Sequence, residues 1–395
     1  MTASRLVCLT NIPTPYRLFL FRRMCERLRE RGWEFEVWFM GHSEPERHWP
    51  FERSEFKFHH RFLSGKRFQF GSLTLYWNPE INNLQVEVRP DILLVAGAWI
   101  HPTVLFATAS STPARTIFWS ESHLGSMHWT GFITAMARRW VLSRFREFAV
   151  PGQLAREYVA HHSPGAQIHY LPNLVDPALF QNDVNLRAAD NTSFSASDRN
   201  GRRVLLIVSR LAEEKGLLPF LKGLEELSAD DQSKLTVLIA GSGCLRRHLE
   251  QWMAQHSLDV RLGGQQTQSQ LADLYARADG FCLPSIFDPN PISVIEALWA
   301  GLPLLLSSRV GNHPECLETG RNGFLFDVSD PQSIVKAISQ WLSLSAGELK
   351  ASGENSRQVA RQRFDPDTVI SNFLDELLPT SAKESESLLE SANSR

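Results

Sequence analysis

The stretch Val204-Leu-Leu-Ile-Val208-Ser-Arg210-Leu-Ala-Glu-Glu-Lys215-Gly216-Leu217 runs from an apolar strand that ends at Ser209, through a charged loop, to a helix that begins near Gly216. The same alternation continues downstream. Leu235 to Ala240 reads as a strand, Gly241-Ser-Gly243 as a turn, and Leu245 as the start of a helix. Gly280 to Leu283 is the next strand, a helix follows from Pro291, and Leu304 to Leu306 is a further strand. Strands separated by helices predict a parallel, doubly wound sheet.

The N-terminal part repeats the pattern. Leu6 to Leu9 is apolar and ends in Asn11-Ile-Pro-Thr-Pro15, after which Leu18, Phe21, Met24, Cys25 and Leu28 recur at helical spacing until Gly32. Trp33 to Met40 follows as a strand of alternating polarity, Asp91 to Ala96 and Arg115 to Trp119 as further strands, and helices are expected after Pro102 and from about Thr130 to Ser143. Between Gln181 and Arg203 the chain turns polar and loses its apolar period. The expected organisation is therefore α/β, with Rossmann-like domains at 1–180 and 204–360 joined by a linker at 181–203. A helix is expected at 361–378, packed back on the first domain, and a disordered tail rich in Ser and Glu at 379–395.

With 395 residues there is room for two cores, and 43% hydrophobic with 21% charged residues excludes a wholly disordered or fibrous chain. The formal charge of −2 leaves no footprint for bulk nucleic-acid binding. Residues 1–180 hold 20 basic and 15 acidic side chains and the remainder 21 and 28, so the first half can meet an anionic surface. Five cysteines without a CxxC pair argue against a disulfide framework or a zinc site. Met1 to Arg17 is a poor signal peptide. Ile92 to Ala109 is uncharged and about long enough to span a bilayer, but Gly97, His101 and Pro102 divide it into strand, loop and short helix. A soluble cytoplasmic protein is expected, with peripheral contact on the inner face of the membrane as the less favoured alternative.

Arg210 and Lys215 lie on a loop at the carboxyl edge of a doubly wound sheet, where ligands bind, and beside a helix N-terminus. They form an anion site suited to a diphosphate, or they pair with Glu213 and Glu214 at the surface. In Pro284-Ser-Ile-Phe-Asp288-Pro-Asn290-Pro291-Ile292-Ser293-Val-Ile-Glu296, Asn290 is expected to cap a helix that starts at Pro291. Free backbone N–H groups of Ile292 and Ser293 then face the crevice, with Asp288 in the loop and Glu296 nearly two turns down. One carboxylate suits the vicinal hydroxyls of a ribose and the other those of a sugar, although Ser293-Val-Ile-Glu296 also fits a capping box with no ligand.

Together with Ser307-Ser-Arg-Val-Gly311-Asn-His-Pro-Glu315 and Gly320-Arg-Asn-Gly-Phe-Leu-Phe326, in this order, the array resembles the retaining GT-B glycosyltransferases of the family 4 type. Those proteins carry a G-R-L-x-x-x-K-G segment and an E-x7-E segment, and the likeness is most specific over residues 204–330. It extends to Arg363-Phe364-Asp365 and, more weakly, to Leu171-Pro-Asn173-Leu-Val-Asp176, similar to the family's P-N-G-V-D. The resemblance implies two Rossmann-like domains facing each other across a cleft. It implies that Arg210 and Lys215 hold the donor diphosphate, Glu296 the nucleotide ribose and Asp288 the transferred sugar. The donor is then a nucleoside-diphosphate sugar and no metal or other cofactor is needed. Three departures stand out: Asp288 replaces the usual Glu, Leu174 replaces Gly, and Asn312 replaces the second Gly of a pair, where tolerance of positive φ would preserve the loop. The glycine pair usual in the first loop is here Pro13-Thr-Pro15-Tyr16, expected to shape an acceptor pocket.

Similar enzymes place a His at the end of a strand over the donor sugar, and Trp119-Ser-Glu-Ser-His123 makes His123 the candidate for contact with the reacting centre, with Glu121 an alternative polar partner. His128 has no partners at metal-ligand spacing, and His59-His60 and His161-His162 read as surface pairs. Trp129, Phe132, Ile133, Met136 and Trp140 recur at helical spacing among Arg138, Arg139, Arg144 and Arg146, which fits a core helix or one lying in a membrane interface. The expected reaction moves a sugar to a hydroxyl of a saccharide or lipid-linked acceptor, with retention, in cell-envelope or exopolysaccharide synthesis. The alternatives are a sugar-nucleotide 2-epimerase of the same architecture and a catalytically degenerate nucleotide-sugar-binding module. Lys215→Ala is expected to remove turnover while leaving stability nearly intact.

Overall fold

The computed structural model describes residues 3–44, 53–70, 73–108, 114–126, 131–181 and 201–378. The polar linker at 182–200, the tail from 379, His128 and Trp129 lie outside the described residues.

The first sheet contains β1 (Arg5–Thr10), β2 (Glu34–Phe39), β3 (His59–Phe62), β6 (Ile92–Ala96), β7 (Arg115–Trp119), β8 (Glu147–Val150) and β9 (Gln167–Tyr170), in the order β3-β2-β1-β6-β7-β8-β9. A separate antiparallel hairpin joins β4 (Lys66–Phe70) to β5 (Leu73–Trp77). The second sheet runs β12-β11-β10-β13-β14-β15, from β10 (Arg203–Val208), β11 (Leu235–Ala240), β12 (Asp259–Gly264), β13 (Gly280–Leu283), β14 (Leu304–Ser307) and β15 (Gly323–Phe326). Every pairing inside both sheets is parallel. The strand order reverses between β1 and β6 in one sheet and between β10 and β13 in the other, and crevices at such switch points take ligands.

The alternation read in β2 does not describe its environment, because only Glu34 is exposed and the other five residues are buried. Helices cover both faces of a parallel sheet, so polar residues there need internal partners. Glu36 finds them in Arg61 Nε at 2.6 Å and Trp38 Nε1 at 3.0 Å. His60 and His162 are half-buried rather than surface residues. His60 stacks on Phe56 at 4.4 Å, and His162 meets Tyr158 edge-on at 4.6 Å.

One apolar cluster runs from Leu6, Phe21 and Phe39 through Leu171, Leu174 and Phe180 to Val294, Leu298, Ile370 and Phe373, and so ties the two sheets together. Leu174, at the position of the family's glycine, is fully buried in it. The helix Pro366–Leu377 lies against the helix Pro15–Glu30 and β9. Arg23 and Arg27 pair with Asp367, Arg31 donates to Asp375 at 2.6 Å, and Arg115 Nη1 donates to the Leu377 carbonyl at 2.5 Å.

Candidate functional site

The loop after β10 and the loop after β13 are built against each other. The Glu214 carbonyl accepts from the backbone N–H groups of Ile286 and Phe287 at 2.9 and 3.0 Å. Gly216 sits at φ 64°, and a Cβ there would fall 2.1 Å from the Pro284 carbonyl oxygen, so both its backbone angle and its contact demand glycine. This apposition brings Lys215 Nζ to 2.5 Å from Asp288 Oδ2, with both side chains 12% exposed. Arg210 is more open and donates from Nη2 to Glu214 Oε1 at 2.5 Å. Of the surface pairing that its loop also allows, Arg210 therefore makes half, whereas Lys215 turns away from both glutamates into the crevice.

His123, at the end of β7, reaches this cluster from the first sheet. It is buried, its pKa is held below the usual value by desolvation and by nearby His313, and Asp288 acts in the opposite direction. Gly311 makes the approach feasible, since a Cβ there would lie 2.9 Å from His123 Cδ2 and 1.9 Å from the Pro289 carbonyl oxygen. Asn312 has φ −100°, so the left-handed backbone expected of it is absent. Its amide instead donates to the Pro291 carbonyl at 2.9 Å, holding the loop by a side-chain bond.

The helix Ile292–Ala300 starts one residue later than expected. Pro291 occupies the N-cap position with extended backbone, and no side chain caps the helix, Asn290 included. Glu296 forms no capping box. Its Oε2 accepts from Tyr275 Oη at 2.8 Å, and the same hydroxyl lies 3.1 Å from the Ser293 carbonyl. Desolvation raises the Glu296 pKa to about 7, against the lowering effect of the Tyr275 bond. The structure thus brings Lys215, Asp288 and His123 together, while Glu296 lies one turn into the helix that follows Asp288 and is held by Tyr275. Tyr275, on the helix Gln268–Arg277, had no signal in the sequence, whereas His313, at the start of the helix His313–Cys316, stood in the quoted segment Ser307–Glu315 without a role assigned to it.

A cavity of about 240 Å³ at the carboxyl ends of β1, β6 and β7 adjoins this crevice, and Pro289 contributes to its wall. Arg17, 8% exposed, stacks its guanidinium 3.7 Å from the Trp119 ring centre and donates to Glu121 Oε1 at 2.8 Å. Asn173 Nδ2 donates to the same oxygen at 3.0 Å. Buried Thr14 Oγ1, Arg17 Nη1 and Trp119 Nε1 beside this cavity have no hydrogen-bond partner. A larger cavity of about 460 Å³, lined by Arg22, Arg23, Lys57, Asp176 and Asp365, touches none of the candidate residues.

Glu315 spans the two sheets. Its Oε1 accepts from the Gln153 N–H at 2.6 Å, at the start of the helix Gln153–His162, and the carboxylate occupies the space where a Gly152 Cβ would lie, 2.4 Å from Cδ. Gly152→Ala is expected to expel the carboxylate and lower stability by roughly 1–2 kcal/mol, as loss of a helix cap does. Glu315→Ala should lose a similar amount, and a double variant no more than either single, all read from denaturant midpoints.

The chain matches the family Glycosyl transferases group 1 over residues 189–359 and the Glycosyl transferase 4-like domain over residues 20–174. It belongs to the GT-B glycosyltransferases of the family 4 type. This family 4 chain is 29% identical over 186 residues to an uncharacterized glycosyltransferase of Methanocaldococcus jannaschii, covering 46% of each chain. It is 30% identical over 281 residues to a GDP-mannose-dependent alpha-mannosyltransferase of Corynebacterium glutamicum, covering 67% of this chain and 62% of the relative. The matched part spans about half the length of the first curated relatives. In fold, the GT-B chain is similar to the crystal structure of Anabaena HepE in complex with UDP, with a TM-score of 0.73 at 15% identity, covering 94% of this chain and 99% of that one. No helix among the described residues is long and apolar enough to cross a membrane.

Proposed function

We propose that the chain transfers a sugar from a nucleoside-diphosphate sugar to a hydroxyl of a saccharide or lipid-linked acceptor of the cell envelope, with retention of anomeric configuration and without a divalent metal. The observation that carries this reading is the meeting of Lys215 and Asp288, from the loops after β10 and β13 that flank the switch point of one sheet, with His123 from the loop after β7 of the other. As the glycosidic C–O bond breaks, negative charge grows on the leaving phosphate and positive charge on the ring. Lys215, Arg210 and the helix N-terminus at Ile292 and Ser293 would stabilise the first, and pre-placed charge of this kind needs no rearrangement at the moment of reaction. Asp288 would leave Lys215 to accept from the sugar hydroxyls once the diphosphate takes its place.

His123 would contact the sugar from the opposite wall, and Glu296 would accept from the ribose hydroxyls. Acceptor oxygen then bonds to the anomeric carbon on the face the phosphate leaves, and its proton passes to a phosphate oxygen. The partners that the relatives' names give, GDP-mannose in one and UDP in another, support a nucleotide donor without choosing the base.

Calorimetric titration with UDP- and GDP-sugars tests donor binding, and product analysis by anomeric NMR tests retention. An inverted product would overturn the retaining reading. A new sugar nucleotide formed from donor alone would establish the epimerase, and tight binding without turnover on any acceptor the degenerate module. Chelator is expected to leave the rate unchanged, and loss of activity in EDTA restored by Mg²⁺ or Mn²⁺ would overturn metal independence.

A further inference from the structure

The helix Phe132–Leu142 turns its apolar stripe outward, against the expectation of a core helix. Phe132 is 79% exposed, Ile133 83%, Met136 57% and Trp140 54%, whereas Arg138, Val141 and Leu142 on the other side are buried. The inward face already has its partners, and the Arg138 guanidinium lies 5.3 Å from the Trp99 ring centre. The four outward side chains fall within one arc of the helical wheel, together with Arg139. Ten large hydrophobic side chains are exposed among the described residues, and four of them stand on this single helix, so the stripe is a concentrated surface rather than scattered exposure.

Charge selects what covers it. No Asp or Glu occurs from Ser122 to Arg146, while Arg139, Arg144 and Arg146 are exposed beside the stripe. The Arg144 guanidinium sits 4.1 Å from the Trp140 ring centre, which places an amphipathic ring and a cation at the rim of the apolar face. A helix face with aromatic and aliphatic side chains at its centre, arginines at its edge and no acid fits a bilayer surface bearing anionic headgroups.

We infer that the helix Phe132–Leu142 docks the protein on anionic membrane, with Phe132, Ile133, Met136 and Trp140 in the headgroup and upper acyl layer and Arg139 and Arg144 on lipid phosphates. The inference rests on this face and not on the glycosyl-transfer reading. It bears on that reading through position, because the helix begins nine residues after His123 and would hold that wall of the crevice at the lipid surface, where an amphipathic acceptor resides.

The test is cosedimentation of the full chain with phosphatidylglycerol–phosphatidylcholine vesicles and with phosphatidylcholine vesicles alone. No sugar donor is present, so the result is independent of catalysis. Binding is expected to the anionic vesicles, weakening with added salt and at least tenfold weaker on phosphatidylcholine. Ile133→Glu and Phe132→Ser should each abolish most binding with unchanged thermal midpoints. Arg139→Gln should weaken binding by about fivefold, the usual worth of one cation at such a surface. Absence of wild-type binding would overturn the proposal, as would binding that survives Ile133→Glu. A lipid-free dimer that Ile133→Glu converts to monomer would also overturn it, because a second copy would then cover the face.

Discussion

Lys215→Ala is expected to lower turnover by about 10²–10³, the usual effect of removing one pre-placed donor from a developing negative charge. The structure adds a second effect. Lys215 and Asp288 form an ion pair at 2.5 Å with little exposure, so the alanine leaves Asp288 as a largely desolvated carboxylate without a partner. Stability should fall by roughly 1–3 kcal/mol, rather than staying nearly intact as the loop position alone suggests. Asp288→Asn in the same chain removes the stranded charge and should restore most of the thermal midpoint while turnover stays low. Wild-type turnover in Lys215→Ala would dismiss its catalytic role, and equal melting of the two variants would dismiss the pair as a stabilising contact.

Glu296→Gln should separate binding from stability in the opposite sense. The folded pKa of about 7 lies above the ordinary 4.5, so the fold favours the protonated acid. That contribution is complete below about pH 4.5 and is lost as pH rises through about 7. A glutamine stays neutral throughout, so the variant should melt higher than wild type at pH 8, with the gap closing toward pH 5. Donor affinity behaves otherwise, since accepting from two ribose hydroxyls favours the ionised group. Wild-type affinity for UDP- or GDP-sugar should rise by up to about tenfold per pH unit until about pH 7 and then level off. The variant should bind about tenfold to a hundredfold more weakly at pH 8, with no inflection near 7. Calorimetry across this range decides the matter, and an unchanged inflection in Glu296→Gln would assign the titration to another group.

Much of the architecture was legible in the chain because buried parallel strands are short apolar runs with turn residues at their ends. Leu235–Ala240, Gly280–Leu283 and Arg115–Trp119 were read to the residue for this reason. The strands β3 and β9 were not, since His59-His-Arg-Phe62 and Gln167-Ile-His-Tyr170 carry too many polar residues to stand out, and only pairing in the sheet makes them strands. The same reason applies to Glu36, whose burial depends on Arg61 arriving from a neighbouring strand.

Of the candidate site, residue types and spacing located Arg210, Lys215, Asp288 and Glu296, because loop glycines and helix starts are written in local chemistry. Their relations were not. That Lys215 faces Asp288 and not Glu213 or Glu214, that Tyr275 supports Glu296, and that Arg17 and Asn173 hold Glu121 all depend on segments distant in the chain packing together. The outward turn of Phe132, Ile133, Met136 and Trp140 belongs to the same class. Periodicity shows that a helix has an apolar face, but which way that face points is decided by what else the helix packs against, here through Arg138, Val141 and Leu142. The amino-acid sequence by itself determined two wound sheets and a loop that carries Arg210 and Lys215 to the carboxyl edge of one of them, since backbone geometry and burial period act over a few residues. Only the tertiary structure decided partners, protonation and exposure, since these depend on distance and solvent access between residues far apart in the chain.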